Sequence, residues 1–120
     1  MAVHRELGCG FLEAVSREAL AIELAERSIP FVREARLQVH YRNRILPVSY
    51  IVDFICYDAV LVEVKALHSI GPIETAQVIN YLRVGRRSRG LLLNFGTASL
   101  QHKRLVVDLV DDPADQSRHM

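Results

Sequence analysis

Three charged residues interrupt an otherwise apolar stretch, Tyr50 to Leu67 (YIVDFICYDAVLVEVKAL): Asp53, Glu63 and Lys65. The stretch reads as two strands joined by a tight turn centred near Asp58, with Asp53 on the first strand and Glu63 and Lys65 on the second. Side chains alternate between the faces of a strand, so Glu63 and Lys65, two apart, leave their strand on one side, and the turn brings Asp53 across from Glu63. Ile51, Val52, Phe54, Ile55, Val60, Leu61, Val62 and Val64 make both faces apolar, as in a central strand pair covered on both sides. Carboxylates opposite each other on paired strands lie about 5 Å apart at Cβ and repel, and a buried unpaired carboxylate is strongly disfavoured or takes up a proton. Positive charge is therefore expected between them. Lys65 supplies one charge, and a divalent cation suits the rest, because a hard, oxygen-only donor set matches Mg²⁺ or Mn²⁺ better than Zn²⁺. A structural ion pair of Lys65 with either acid accounts for the same residues without an ion.

The rest of the chain limits the chemistry further. Its 120 residues form a domain of ordinary size, with 50% hydrophobic and 24% charged residues, which excludes general disorder. No apolar run reaches membrane-spanning length and no export signal opens the chain, so a cytoplasmic protein without a membrane partner is expected. The net charge of +1 does not indicate a diffuse grip on nucleic acid, so any phosphate binding must be local. Lys65 and Lys103 are the only lysines, against thirteen arginines, which makes a lysine inside an apolar strand conspicuous. Cys9 and Cys56 match no metal or disulfide spacing, and the five histidines show none of the spacings of a zinc site.

The elements that must position the three charges follow from periodicity. Leu12 to Arg27 predicts a helix with Leu12, Val15, Ala19 and Ile22 on its apolar face and Glu13 at the edge of that face, one helical turn from Arg17. Gly8-Cys9-Gly10 is expected to separate it from a short turn around Val3 to Leu7, and Pro30 to close it. Phe31 to Tyr41 predicts a strand, Arg42 to Arg44 a turn, and Ile45 to Tyr50 the approach to the central hairpin with a kink at Pro47, together a three-strand antiparallel meander. Ile73 to Val84 predicts a second helix with Gln77 and Tyr81 together on one side. Arg83, Arg86, Arg87 and Arg89 cluster at its end, where cations are favoured by the helix dipole and a phosphate contact is the alternative. Leu91 to Phe95 predicts a buried strand brought parallel to a neighbour by a right-handed crossover, and Arg104 to Val110 an edge strand. Residues 1–110 thus read as one domain and 111–120 as a polar tail.

This order of helix, meander carrying D…ExK, helix with Gln and strand is similar to the core of the PD-(D/E)XK nuclease superfamily, with Asp53 and Glu63-Val64-Lys65 in the motif positions. Over nearly its full length the chain also resembles the small bacterial GxxExxY proteins assigned to that superfamily. The residues that carry this are HRELGCGFLEAV (His4 to Val15), EALAIEL (Glu18 to Leu24), Asp53-Phe54, VEVKAL (Val62 to Leu67), AQVINYL (Ala76 to Leu82) and LLLNFG (Leu91 to Gly96). Gly10 and Glu13 match the naming motif, whereas Ser16 stands at its tyrosine and Ile51 near a position that often carries arginine. Gln77 and Tyr81 match the helical Q-x3-Y often seen beside the nuclease site.

The resemblance implies an α/β (α+β) fold with a restriction-endonuclease-like core, a central mixed sheet flanked by helices in the order αβββαβ. It implies metal-dependent phosphodiester hydrolysis of nucleic acid, with Asp53, Glu63 and the Val64 carbonyl holding Mg²⁺ or Mn²⁺. Lys65 would orient or deprotonate the attacking water, Gln77 would position Lys65 or that water, and Glu13 and Tyr81 would stand at the site's edge. A catalytically silent module that binds nucleic acid or protein is the alternative. A second copy, docked through the edge strand or first helix, is a further expected partner, since so small a domain would need one to span a duplex.

Overall fold

The computed structural model describes residues 9–109. The elements are α1 (Cys9–Glu26), β1 (Phe31–Tyr41), β2 (Arg44–Cys56), β3 (Val60–Lys65), α2 (Pro72–Val84), β4 (Arg89–Asn94) and β5 (Gln101–Val106). They form one five-stranded mixed sheet in sequence order. β1, β2 and β3 are an antiparallel meander, α2 carries the chain across so that β4 lies parallel to β3, and β5 returns antiparallel at the edge. This is the restriction-endonuclease-like αβββαβ core, extended by one strand. The expected turn between Val3 and Leu7 and the polar tail 111–120 lie outside the described residues. Among the described residues, no helix is long and apolar enough to cross a membrane.

Both hairpins of the meander close through two residues at positive φ: Arg42 and Asn43 (48° and 63°) in the first, Tyr57 and Asp58 (56° and 51°) in the second. These are the mirror-image turns whose twist matches that of the flanking strands. The second is sealed by the Ala59 N–H donating to the Cys56 carbonyl (3.0 Å), which fixes the register that sets Phe54 opposite Val62. In the first ladder Gln38 pairs with Ser49 but His40 with Ile45, so the kink expected at Pro47 is a bulge over 46–48.

The sheet is covered on both faces. On one, Val78 and Leu82 of α2 join Leu37, Val52, Leu61 and Leu92. On the other, Leu20, Ala21 and Leu24 of α1 pack on Phe54, Val62, Val64 and Leu93. Here the expected apolar face of α1 is corrected. The helix buries Leu12 and Ser16, while Val15 and Ile22 are exposed (41% and 60%) and Ala19 faces solvent. α1 has two comparable stripes four residues apart, 12/16/20/24 and 11/15/19/22, and periodicity alone does not choose between them. The described helix includes Cys9 and Gly10, which were expected to precede it. Ile51, expected to be covered, is 54% exposed because the thirteen residues of β2 outrun the six of β3. The last strand begins at Gln101 rather than Arg104, since pairing with β4 carries it through polar residues that an edge strand tolerates.

A buried amide ties down the chain just beyond Lys65. Asn94, the parallel-ladder partner of Lys65, is fully buried. Its Oδ1 accepts from the N–H groups of Leu67 (2.8 Å) and Gly96 (3.0 Å), and its Nδ2 donates to the Leu67 carbonyl and to Oε1 of Gln101 (3.0 Å each). A Cβ added at Gly96 would stand 2.3 Å from the Leu67 main chain, so only glycine permits this close approach. Asn94→Ala leaves several buried main-chain groups unpaired and is expected to destabilise the domain by about 2 kcal/mol. Urea unfolding checks this, and an unchanged midpoint would show the latch to be idle.

Candidate active site

Asp53 and Glu63 meet where the β2–β3 ladder ends. The regular pairing covers Cys56, Ile55 and Phe54 against Val60, Leu61 and Val62, and beyond it side chains replace main chain. The Asp53 N–H donates to Oε1 of Glu63 (2.8 Å), and the Val64 N–H donates to Oδ2 of Asp53 (2.8 Å). The expected repulsion is thus partly offset by two reciprocal bonds, each carboxylate accepting from the opposite strand. The neighbouring ladder makes room for this. Glu34 of β1 takes φ 49°, and neither Glu34 nor Asp53 pairs in the β1–β2 register. At this irregularity both strands change sides: Phe31 and Phe54 pack under α1, while Ala35, Leu37 and Val52 pack under α2.

The acids sit in a low-dielectric setting. Glu63 is 6% exposed, and burial, reinforced by the charge of Asp53, pushes its pKa up to about 7 against the pull of the Asp53 N–H and of Lys65. Burial also raises Asp53, with the Val64 N–H and Arg17 pulling the other way. Lys65 leaves β3 half-buried, two residues from Glu63, and its carbonyl accepts from the Phe95 N–H (2.8 Å), so its backbone is held on the β4 side.

The first helix contributes two residues. Glu13 and Arg17 form the ion pair expected one turn apart (2.9 Å), and both are half-buried rather than solvated. Arg17 also places Nε 4.0 Å from Oδ1 of Asp53. Sequence reasoning treated Arg17 only as a partner for Glu13; the signal it missed is that 13 and 17 flank the stripe 12/16/20 that α1 buries. From α2, Tyr81 is half-buried with its ring centroid 5.0 Å from that of Tyr50. Burial raises its phenol, with the Glu63 charge next in weight, so it lies within electrostatic reach of the acids. Gln77 is exposed, and among the described residues no hydrogen bond joins it to Lys65.

The structure does not bring the basic cluster to this site. Arg89 pairs with Val60 and Lys65 with Asn94, five residues further along the parallel ladder, which separates them by about 16 Å. Arg87 braces that distant end, donating to the Gly85 carbonyl (2.9 Å) and to Asp58 in the β2–β3 turn (2.6 Å). A cavity of about 400 Å³ between Pro72, Ala76, Ile79 and Lys103 contains none of the acids.

Among the described residues, no three His, Cys, Asp or Glu side chains converge as a metal-binding set. The donors at hand are two carboxylates, each with one oxygen committed to a main-chain N–H, and the nearby main-chain carbonyls. They fit a hard dication nonetheless: burial lifts both acids and the Asp53 charge lifts Glu63 further, which is the state a divalent ion relieves.

No curated protein matches the sequence. Two solved structures share the fold. The crystal structure of SSO0001 superposes with a TM-score of 0.64 at 15% identity, over 82% of this chain and 52% of that one. An alkaline exonuclease from Laribacter hongkongensis superposes with a TM-score of 0.50 at 14% identity, over 79% of this chain and 56% of that one. The chain thus spans about half the length of these structures, and at such identities the likeness is one of fold. The family comparison reaches further, because the model of the PD-(D/E)XK nuclease superfamily matches residues 1–105, which take in the Asp53 and Glu63-Val64-Lys65 positions; the chain belongs to that superfamily.

Proposed function

We propose that the chain is a metal-dependent nuclease that hydrolyses phosphodiester bonds of nucleic acid at Asp53, Glu63 and Lys65. The observation that carries this is the pair of reciprocal bonds that hold a buried and a half-buried carboxylate side by side, with a lysine two residues on. Asp53, Glu63 and the Val64 carbonyl would hold Mg²⁺ or Mn²⁺. When bound, that ion supplies Lewis-acid polarisation of the phosphate and a lowered pKa for water. Lys65 orients the attacking water and offsets charge growing on the phosphorane oxygens. Tyr81, its phenol held protonated, offers a hydroxyl donor on the α2 side, and Gln77 an amide one turn away. Arg17 ties Glu13 to Asp53 and holds α1 against the site. The finer kinship with GxxExxY proteins is supported by Glu13, whose charge is felt by both acids. A reducing, cytoplasmic setting fits the free, buried thiol of Cys56. On this reading residues 1–110 are a single nuclease-like domain.

The test is cleavage of plasmid, single-stranded DNA and RNA with Mg²⁺ or Mn²⁺, against the same reactions in EDTA. Cleavage that persists in EDTA, or its absence with every substrate and ion, would overturn the reading. A catalytically silent binding module is the second reading, favoured by the lack of a three-residue ligand set among the described residues. Calorimetric titration with Mn²⁺ separates the two, since the silent module takes up no metal.

A further inference from the structure

Beyond Asp53, β2 runs back for nine residues to Arg44 without β3 beside it, paired only with β1. Residues 35–52 therefore form a two-stranded ribbon that is packed under α2 at its base through Ala35, Leu37, Tyr50 and Val52 and leaves the sheet beyond them, at the catalytic end where β3 stops at Lys65. The tip at Arg44 is about 23 Å from Asp53, counted at about 3.3 Å per residue along β1, which lacks the bulge of β2. The ribbon's charge is one-sided. It contains Arg36, Arg42, Arg44 and His40, all exposed, and no Asp or Glu. It thus holds +3 of a chain whose net charge is +1, leaving −2 for everything else. Arg33, just outside it, is already paired with Glu18 of α1. At the tip Tyr41 is 57% exposed, and the Arg42 guanidinium lies 5.3 Å from its ring centroid. Arg36 donates to Ser49 across the ribbon (3.0 Å), which holds its guanidinium on that surface.

A two-stranded ribbon fits the major groove of B-form DNA, about 12 Å wide, whereas the deep, narrow groove of A-form RNA does not admit it. We propose that this ribbon binds duplex DNA, lying along the groove with Arg36, Arg42 and Arg44 on the phosphates, and so places the duplex against Asp53 and Lys65. The proposal rests on the nuclease reading and names its substrate class. It explains how a nearly neutral chain grips a polyanion: three arginines stand on one arm with no acid among them. Ile45, Val48 and Ile51 are also exposed on the ribbon, but a second copy docked there would set one +3 arm against another.

Fluorescence anisotropy in EDTA, where no cleavage occurs, tests this with labelled duplex DNA, the matched single strand and the matched RNA duplex. Wild type is expected to prefer duplex DNA. R42Q/R44Q should weaken that affinity at least about tenfold, and the slope of log Kobs against log salt should fall by about 1.8, near 0.9 per lost phosphate contact. R42E/R44E should weaken it further, with melting temperatures confirming that both variants fold. Unchanged affinity and slope in both variants, or equal binding of RNA duplex, overturns the proposal. So does a wild-type dimer, seen by light scattering, that the substitutions dissociate without altering DNA affinity per protomer. Because binding is read without turnover, a protein that grips DNA through the ribbon yet cleaves nothing overturns the nuclease reading alone.

Discussion

Lys65→Ala lowers the metal-dependent cleavage rate by about 10²–10⁴-fold, the span seen when one group that stabilises transition-state charge or transfers a proton is removed. The effect falls on the rate constant rather than on substrate affinity, because Lys65 stands two residues from Glu63, beside the acids, and not on the arginine-bearing ribbon proposed to grip the duplex. Lys65→Arg restores only part of the rate: a guanidinium offsets charge but does not give up a proton near neutral pH. Asp53→Asn gives a comparable loss by another route. It removes one of the two carboxylates offered to the ion, so Mn²⁺ affinity measured by calorimetry falls along with the rate. Single-turnover cleavage at saturating metal separates the two: the Asp53 variant recovers part of its rate as metal is raised and the Lys65 variant does not. A Lys65→Ala protein that cleaves within a factor of a few of wild type would remove the lysine from the mechanism.

What could be read from the sequence follows from the range of the physics involved. The bounds of β1, Phe31–Tyr41, and the placing of Asp53 against Glu63 both rest on local alternation and on a turn of fixed length, and the structure shows both. The parallel seating of β4 followed from chain handedness. The buried face of α1 was misjudged, because choosing between two stripes requires knowing where the sheet lies; the roles of Ser16 and Arg17 went with it. Asn94 reads as one polar residue in LLLNFG, and nothing local announces that its amide closes four hydrogen bonds to residues as distant as Leu67 and Gln101. The ribbon was legible as two strands but not as an arm, since its projection comes from the shortness of β3, a difference in length between elements that were each read correctly in type. The reciprocal side-chain bonds were hidden for a related reason: an intact ladder is the default expectation for facing strands, and only the irregularity at Glu34 and Asp53 frees the N–H that Glu63 accepts.

The metal-free protein loses stability as pH rises from the usual carboxyl range to neutrality, and Glu63 is the reason. Its folded pKa is about 7, against 4.5 in an ordinary setting. Between those values the folded chain holds a proton that the unfolded chain has released, so stability falls with pH across that window and levels off above it. The shift corresponds to roughly 3 kcal/mol at full effect. Asp53, raised in the same direction, adds to the loss at the low end of the window. Glu63→Gln keeps an acceptor for the Asp53 N–H without a charge to bury, so in EDTA at pH 8 it should be more stable than wild type, while losing Mn²⁺ binding and cleavage. Metal acts in the opposite sense on wild type. Binding must displace the Glu63 proton, so affinity rises with pH up to about 7, by close to tenfold per unit for a single proton, and then flattens. Urea midpoints in EDTA and in Mn²⁺ at pH 5, 6, 7 and 8 test both halves: the EDTA series falls, the Mn²⁺ series gains on it, and the two diverge most above pH 7. Parallel series, or a Glu63→Gln variant less stable than wild type at pH 8, would show that Glu63 is not held against its charge by burial, and the energetic case for a metal at this pair of carboxylates would go with it.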